Sequence, residues 1–418
     1  MSFDFDRIIE RRDTDSIKWR RYAGRDVLPL WVADMDFPAP PAVLDALRAR
    51  VDHGILGYAE PTTSTTDTIL DMLEKNFAWR IEAEWLVWTP GVATALHLIA
   101  RMLEKPEDAL LTSTPIYPPF LHAARNMGHV VRQTPLIETT RLATGSPSSA
   151  LIPSDGGRGC AEPFPTEPSE ARYEFDWERF EAALHPPTRT YLFCHPQNPT
   201  GRVWSRPELE RVAELCLRHN VTICSDEVHY GLILDPDKTH IPMAALSPEI
   251  AARTITLLSP SKTYNVAGLM CAFAIIPDAS LRRRFQGAAR GIVNELNPFG
   301  YVACEAAYRH GEPWRLALID YLRGNRDLVE STVARLPGLR MNHVEATYLA
   351  WIDCRKMTTD NRQPTTISPS SFFESAGVGL SDGAIFGAPG FARLNFGCPR
   401  ATLREALARM QRALNTPS

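Results

Sequence analysis

Between residues 85 and 258 the chain repeats one pattern: a short apolar or β-branched run, a turn, then a stretch with helical apolar spacing. The runs lie at 85–88, 109–112, 130–131, 190–193, 221–224 and 254–258, and helices are predicted at 92–103, 118–127 and 207–218. This alternation permits few folds. Strands joined by crossover helices return to the same sheet in parallel, so the expected class is α/β, with a mostly parallel sheet flanked by helices. Ligands in such sheets bind beyond the carboxyl ends of the strands. The residues that follow the last three runs therefore matter most: Asn198 in Cys194-His195-Pro196-Gln197-Asn198-Pro199, Asp226 in Ser225-Asp226-Glu227, and Lys262 in Ser259-Pro260-Ser261-Lys262-Thr263.

The flanks are of a different kind. An extended stretch at 28–38 ends in prolines, and Pro40-Pro41 opens a helix with Val43, Leu44, Leu47 and Val51 on one face and Gly54 as its stop. A loop around Tyr58 leads to a second helix carrying Ile69, Leu70, Leu73 and Phe77. Residues 138–172 are dense in Ser, Gly, Pro and Thr without periodicity, and read as a polar insertion, with a substrate-facing lid as the alternative. Helices are predicted at 281–289, 301–309 and 315–336. A smaller mixed domain follows, with strands at 348–352 and 392–396 and a closing helix at 400–414.

Composition excludes several classes. A net charge of -4 over 418 residues, with no basic block, argues against a nucleic-acid partner. The opening residues lack the order of a secretory signal, and no apolar run approaches the ~18 residues of a membrane span, so a cytoplasmic protein with no membrane partner is expected. The eight cysteines are scattered without C-x-x-C spacing, which disfavours a disulfide framework or a metal site. Cys216, Cys224 and Cys271 read as core residues.

Lys262, placed at a strand end between small hydroxyl residues, is positioned to lose its proton and attack a carbonyl. If that carbonyl belonged to an aldehyde cofactor with a ring nitrogen, Asp226 could keep the nitrogen protonated and the Asn198 amide could bond a ring oxygen. A nicotinamide dehydrogenase is disfavoured, because no G-x-G-x-x-G follows a strand.

These stretches, with Trp31-Val32-Ala33-Asp34-Met35-Asp36-Phe37-Pro38, Thr114-Pro115-Ile116-Tyr117-Pro118-Pro119-Phe120, Asn198-Pro199-Thr200-Gly201, Ser225-Asp226-Glu227-Val228-His229 and Arg393-Leu394-Asn395-Phe396-Gly397-Cys398-Pro399-Arg400, bring a family into view. The chain resembles fold-type-I enzymes dependent on pyridoxal 5'-phosphate, the class I/II aminotransferase superfamily. Within it the chain is similar to the MalY/PatB branch of cystathionine β-lyase-like carbon-sulfur lyases.

The resemblance implies a large domain at 51–290 with a seven-stranded type of sheet, and a small α+β domain built from both termini, 1–50 and 291–418. It implies that Lys262 carries the cofactor, Asp226 pairs with its ring nitrogen, Asn198 and His229 lie at the ring hydroxyl and Tyr117 stacks on the ring. Arg393 would clasp the substrate carboxylate, with Asn198 beside it. Tyr58 would reach the cofactor phosphate from a second subunit, which implies a homodimer. Free backbone donors at Val92, Ala93 and Thr94 suit a phosphate, but a helix dipole is worth only ~0.3–1 kcal/mol. The hydroxyls of Thr94, Ser259 and Ser261 are therefore expected to help. Many aminotransferases of the superfamily place an arginine where this chain has Met270, and their motif more often begins with asparagine where this chain has His195. The activity implied is β-elimination from a cysteine S-conjugate, with transamination as the rival and a regulatory protein retaining the cofactor site as a further alternative.

Overall fold

The computed structural model describes residues 3–141, 170–359, 363–364 and 367–415. Its first nine strands are Leu28–Pro29 (β1), Leu86–Thr89 (β2), Ala109–Thr114 (β3), Val130–Arg141 (β4), Glu170–Phe175 (β5), Thr188–Cys194 (β6), Thr222–Asp226 (β7), Thr254–Leu258 (β8) and Ala272–Ile275 (β9). All but β1 form one sheet, in the order β2-β9-β8-β7-β6-β3-β4-β5. The four central pairings, β8-β7, β7-β6, β6-β3 and β3-β4, are parallel. The pairings toward either edge are antiparallel.

Helices cover both faces. On one side Leu96, Ile99, Phe120 and Phe285 pack on Leu110, Leu192, Cys224 and Ile255. On the other, Phe180, Leu209 and Val212 pack on Leu111, Tyr191, Phe193 and Ile223. Neighbouring strand residues thus point into opposite cores, which is why these strands read as continuous apolar runs rather than alternating ones. The described cysteines, Cys216, Cys224 and Cys271 among them, are buried. Among the described residues no helix is long and apolar enough to cross a membrane.

The structure differs from the sequence expectation at the edge of the sheet. β4 runs on through Arg141 and pairs with β5, Leu136 opposite Phe175 and Glu138 opposite Tyr173. Among the described residues the sheet therefore has eight strands, where seven were expected. Both ends of the stretch read as an insertion are strands, held because Leu136, Tyr173 and Phe175 are buried. Residues 142–169, the rest of that insertion, lie outside the described residues. The helix Trp177–Leu184, capped by the Asp176 side chain, and the strand β9 were not anticipated.

The small domain has the strands Arg340–Met341 (β10), Leu349–Asp353 (β11), Thr358–Thr359 (β12), Gln363–Pro364 (β13), Val378–Gly379 (β14), Ser381–Asp382 (β15) and Phe391–Asn395 (β16). Its antiparallel sheet runs β10-β11-β16-β15. β1 pairs in parallel with β14, so both termini contribute to this end of the molecule. The helix Pro298–His310 packs instead on the helices Pro41–His53 and Thr63–Phe77, where Glu305 accepts hydrogen bonds from Ser64 and Thr65 at 2.6 and 2.8 Å.

Near the N-terminus, the fully buried Lys18 ammonium lies 2.7 Å from Asp36, whose other oxygen accepts from Arg11 at 2.5 Å and from Trp19 Nε1 at 3.1 Å. Removing one partner of a buried ion pair commonly costs about 3–5 kcal/mol. Because Arg11 and Trp19 remain, Lys18→Met is expected at the lower end, about 3 kcal/mol in urea unfolding. A loss below about 0.5 kcal/mol, as for a surface change, would show that the pair does not hold this segment.

Candidate active site

Five sheet connections deliver the site. β2 ends into the helix Val92–Arg101, β3 into Tyr117, β6 into Asn198, β7 in Asp226 itself, and β8 into the turn that holds Lys262. The register places Asp226 beside Cys194 on one neighbouring strand and Leu257 on the other, so Asp226 stands between the approaches to Asn198 and Lys262. From the small domain, β16 adds Arg393.

Lys262 Nζ donates to the Ala33 carbonyl at 2.7 Å. Burial pulls its pKa down to about 8, with Arg393 acting in the same direction and Asp34 and Asp226 opposing. Asp226 is buried, and its side chain accepts a hydrogen bond from the Val228 amide at 3.2 Å. Burial raises its carboxyl to about 7 against the pull of that amide and of Lys262. His229, also buried, is held neutral by burial, Lys262 and Arg393, with a pKa near 3. Its Nδ1 has no hydrogen-bond partner among the described residues.

Arg393 donates to Asn198 Oδ1 at 3.0 Å and to the Trp31 carbonyl at 2.8 Å, and its guanidinium lies 4.7 Å from the centre of the Phe386 ring. Its Nε is buried and has no hydrogen-bond partner among the described residues. Burial lowers its pKa to about 10, still far above neutrality. Tyr117 caps the helix Pro118–Asn126, and burial raises its hydroxyl, with Arg393 and Asp226 as the charges that act on it. The structure thus brings together Lys262, Asp226, His229, Arg393, Asn198 and Tyr117.

The residues expected at the phosphate divide. The ten-residue helix from Val92 has no side-chain cap at Gly91, so the amides of Val92, Ala93 and Thr94 are free donors at its positive end. Ser261 is partly exposed. The Ser259 hydroxyl donates to the Cys271 carbonyl at 2.7 Å and accepts from the Ser261 amide at 3.1 Å. Tyr58 is fully exposed.

Sequence reasoning assigned no role to the segment 31–37 beyond its resemblance. It proves to be a strap across the site. Asn395 Nδ2 holds the Val32 and Asp34 carbonyls, both at 2.6 Å, and Asn265 pairs with both backbone groups of Met35 and with the Phe37 carbonyl. Tyr348 donates to the Ala33 carbonyl at 3.0 Å. Asn395 lies within a stretch already singled out, two residues after Arg393, and Asn265 stands three residues after Lys262; two asparagines so placed were the available signal.

The family model for aminotransferase class I and II matches residues 157–410. The chain is 35% identical to the Bacillus subtilis protein named cystathionine beta-lyase PatB, over 99% of this chain and all of that one. Among solved structures, that of OvoB superposes with a TM-score of 0.87 at 40% identity over the full length of both chains. The pyridoxal phosphate-bound C-S lyase from Staphylococcus hominis superposes with a TM-score of 0.84 at 29% identity, over 100% of this chain and 99% of that one.

The donor set fits pyridoxal 5'-phosphate. A buried carboxylate without a full cationic partner suits a protonated ring nitrogen, the orphaned Nδ1 of His229 and the Asn198 amide suit the ring hydroxyl, and the uncapped helix start suits a phosphate. One consequence is testable without substrate. Because the folded chain raises the Asp226 pKa above the usual value near 3.9, the charged carboxylate destabilises the cofactor-free protein at any pH above that value. Asp226→Asn is therefore expected to raise the melting temperature of the cofactor-free protein at pH 8, and to weaken cofactor binding at least about tenfold. The stabilisation should vanish as pH falls toward 4, and a variant melting lower at pH 8 would contradict it.

Proposed function

The chain belongs to the class I and II aminotransferase family, and from that premise we propose how its residues carry out a carbon-sulfur β-lyase reaction. The protein is a pyridoxal 5'-phosphate-dependent lyase acting on a small amino acid, a cysteine S-conjugate of the cystathionine type, which it converts to a thiol, pyruvate and ammonia. The observation that carries the site assignment is the convergence of Lys262, Asp226 and Arg393 below one strap, the first half-buried, the other two buried, and each with a shifted pKa.

Bound pyridoxal 5'-phosphate supplies an electron sink that acidifies the α-carbon of the substrate. The chain's residues do the rest. Arg393 offers a guanidinium fork to the α-carboxylate, with Asn198 fixing one of its nitrogens. Lys262 moves the α-proton, and its lowered pKa makes the required neutral amine accessible near pH 8. With the cofactor bound, Asp226 would hold positive charge at the ring nitrogen, which would restore a partner to its own buried carboxylate. Tyr117 would hold the ring, and His229, neutral, would be available to its hydroxyl. Elimination is favoured over transfer by the full-length likeness to proteins named as lyases, and by Met270, exposed at the position where many aminotransferases of the family carry arginine.

The protein acts as a homodimer. Val51, Ile55 and Leu56 are exposed apolar residues on the approach to Tyr58. Covering this patch with a second copy buries it and carries the Tyr58 hydroxyl toward the partner's phosphate site.

Two experiments test this reading. Incubation with cystathionine is expected to release pyruvate and free thiol without any added 2-oxo acid, whereas strict dependence on the oxo acid would mean transamination. Lys262→Ala should abolish turnover by more than about 10³-fold, since both a covalent and a proton-transfer role are lost. For the assembly, Leu56→Asp is expected to shift sedimentation from dimer toward monomer and to lower cofactor affinity with it; an unchanged dimer would place the interface elsewhere.

A further inference from the structure

Lys262 must work in two situations, bonded to the cofactor and free as an amine. The structure shows where the free amine rests. Its Nζ lies 2.7 Å from the Ala33 carbonyl, and the same oxygen accepts from the Tyr348 hydroxyl at 3.0 Å. Tyr348 is fully buried next to β11, with its ring edge-on to His229 at 6.1 Å between centres. The carbonyl cannot drift, because Asn395 grips the carbonyls on either side of it.

Resting on the reading that Lys262 is the proton-moving lysine, we propose that Tyr348 is a positioning residue for it: the two share the Ala33 carbonyl, which parks the amine and is made a weaker acceptor for its ammonium form. The physical reason lies in what an oxygen with two donors can give each. An ammonium is the stronger donor and gains more from an undivided carbonyl than a neutral amine does. A second donor on that oxygen therefore takes more from the ammonium, and tips the lysine toward the neutral form that accepts a proton. One N–H on the carbonyl also orients the amine, leaving its lone pair free to face the substrate. The other groups facing Lys262 are Asp34 on the strap, Asp226 at the end of β7, His229 in the following turn and Arg393 on β16. All of these stay in place when only the Tyr348 oxygen is removed.

The test is capture of pyridoxal 5'-phosphate by the cofactor-free full-length protein, followed through cofactor absorbance as a function of pH, because the capture rate reports the neutral fraction of Lys262. Tyr348→Phe keeps the ring and the Lys262 bond to Ala33. Its capture midpoint is expected to move up by about 0.5–1 pH unit, the scale of one shared hydrogen bond. In the loaded enzyme, kcat at pH 7 should fall several-fold, with the acid limb of its pH profile moved the same way and KM within about threefold. A variant carrying 4-aminophenylalanine at position 348 keeps a donor at the same point, and should return the midpoint to that of the parent protein. A midpoint that does not move in the phenylalanine variant, or moves down, overturns the inference while leaving Lys262 as the reactive residue. Capture by Lys262→Ala at the parent rate would instead overturn the reading on which it rests.

Discussion

A buried stretch of irregular backbone has no ladder of its own to pair with, so each of its polar groups must find a partner elsewhere. The segment 31–37 meets that demand almost group by group. The Trp31 carbonyl takes Arg393 and Ser381, Val32 takes Asn395, Ala33 takes Lys262 and Tyr348, Asp34 takes Asn395 and Lys18, and Met35 and Phe37 take Asn265. The donors come from the turn after β8, from β16 and its surroundings, and from Lys18 near the N-terminus. The strap is therefore satisfied only when the large body, the small domain and the N-terminus are all in place. Its partners include the two residues on which the chemistry depends.

That arrangement explains why the site can hold costly groups. Lys262, Asp226, His229 and Arg393 are each driven by burial toward the neutral form, and the chain supplies fewer partners than their charges call for. Satisfying them fully within the protein would leave nothing to recognise a charged ring or a carboxylate. The strap, with its own ion pairs among Arg11, Lys18, Asp34 and Asp36, supplies rigidity that the site lacks. Stability is concentrated one layer away from reactivity, as expected where strained polar groups persist only if their surroundings over-determine them.

Much of this was legible in the linear sequence. The crossover repeat, the three polar strand ends, and the helix with its free start at Val92 could be read from spacing alone, because strands buried on both faces leave unbroken apolar runs and loops carry the polar residues that follow them. The hairpin edge was not legible. The β4 extension and β5 contain Glu138, Arg172 and Glu174 among Leu136, Tyr173 and Phe175, an alternation that local pattern does not separate from the polar stretch between them. The hydrogen bond from the Ser259 hydroxyl to a carbonyl twelve residues on was not legible either, because the turn that brings the two together exists only in the folded chain.

The residue types and their order determined which groups can carry chemistry: an amine at one strand end, a carboxylate and an amide at two others, and a guanidinium near the C-terminus. Only the tertiary structure decided what those groups are. The pKa of Lys262 near 8, the raised carboxyl of Asp226, and the meeting of Lys262 and Tyr348 on one carbonyl depend on burial and on partners up to 315 positions away. Desolvation and shared acceptors are properties of enclosed space, and a sequence encloses space only after it has folded.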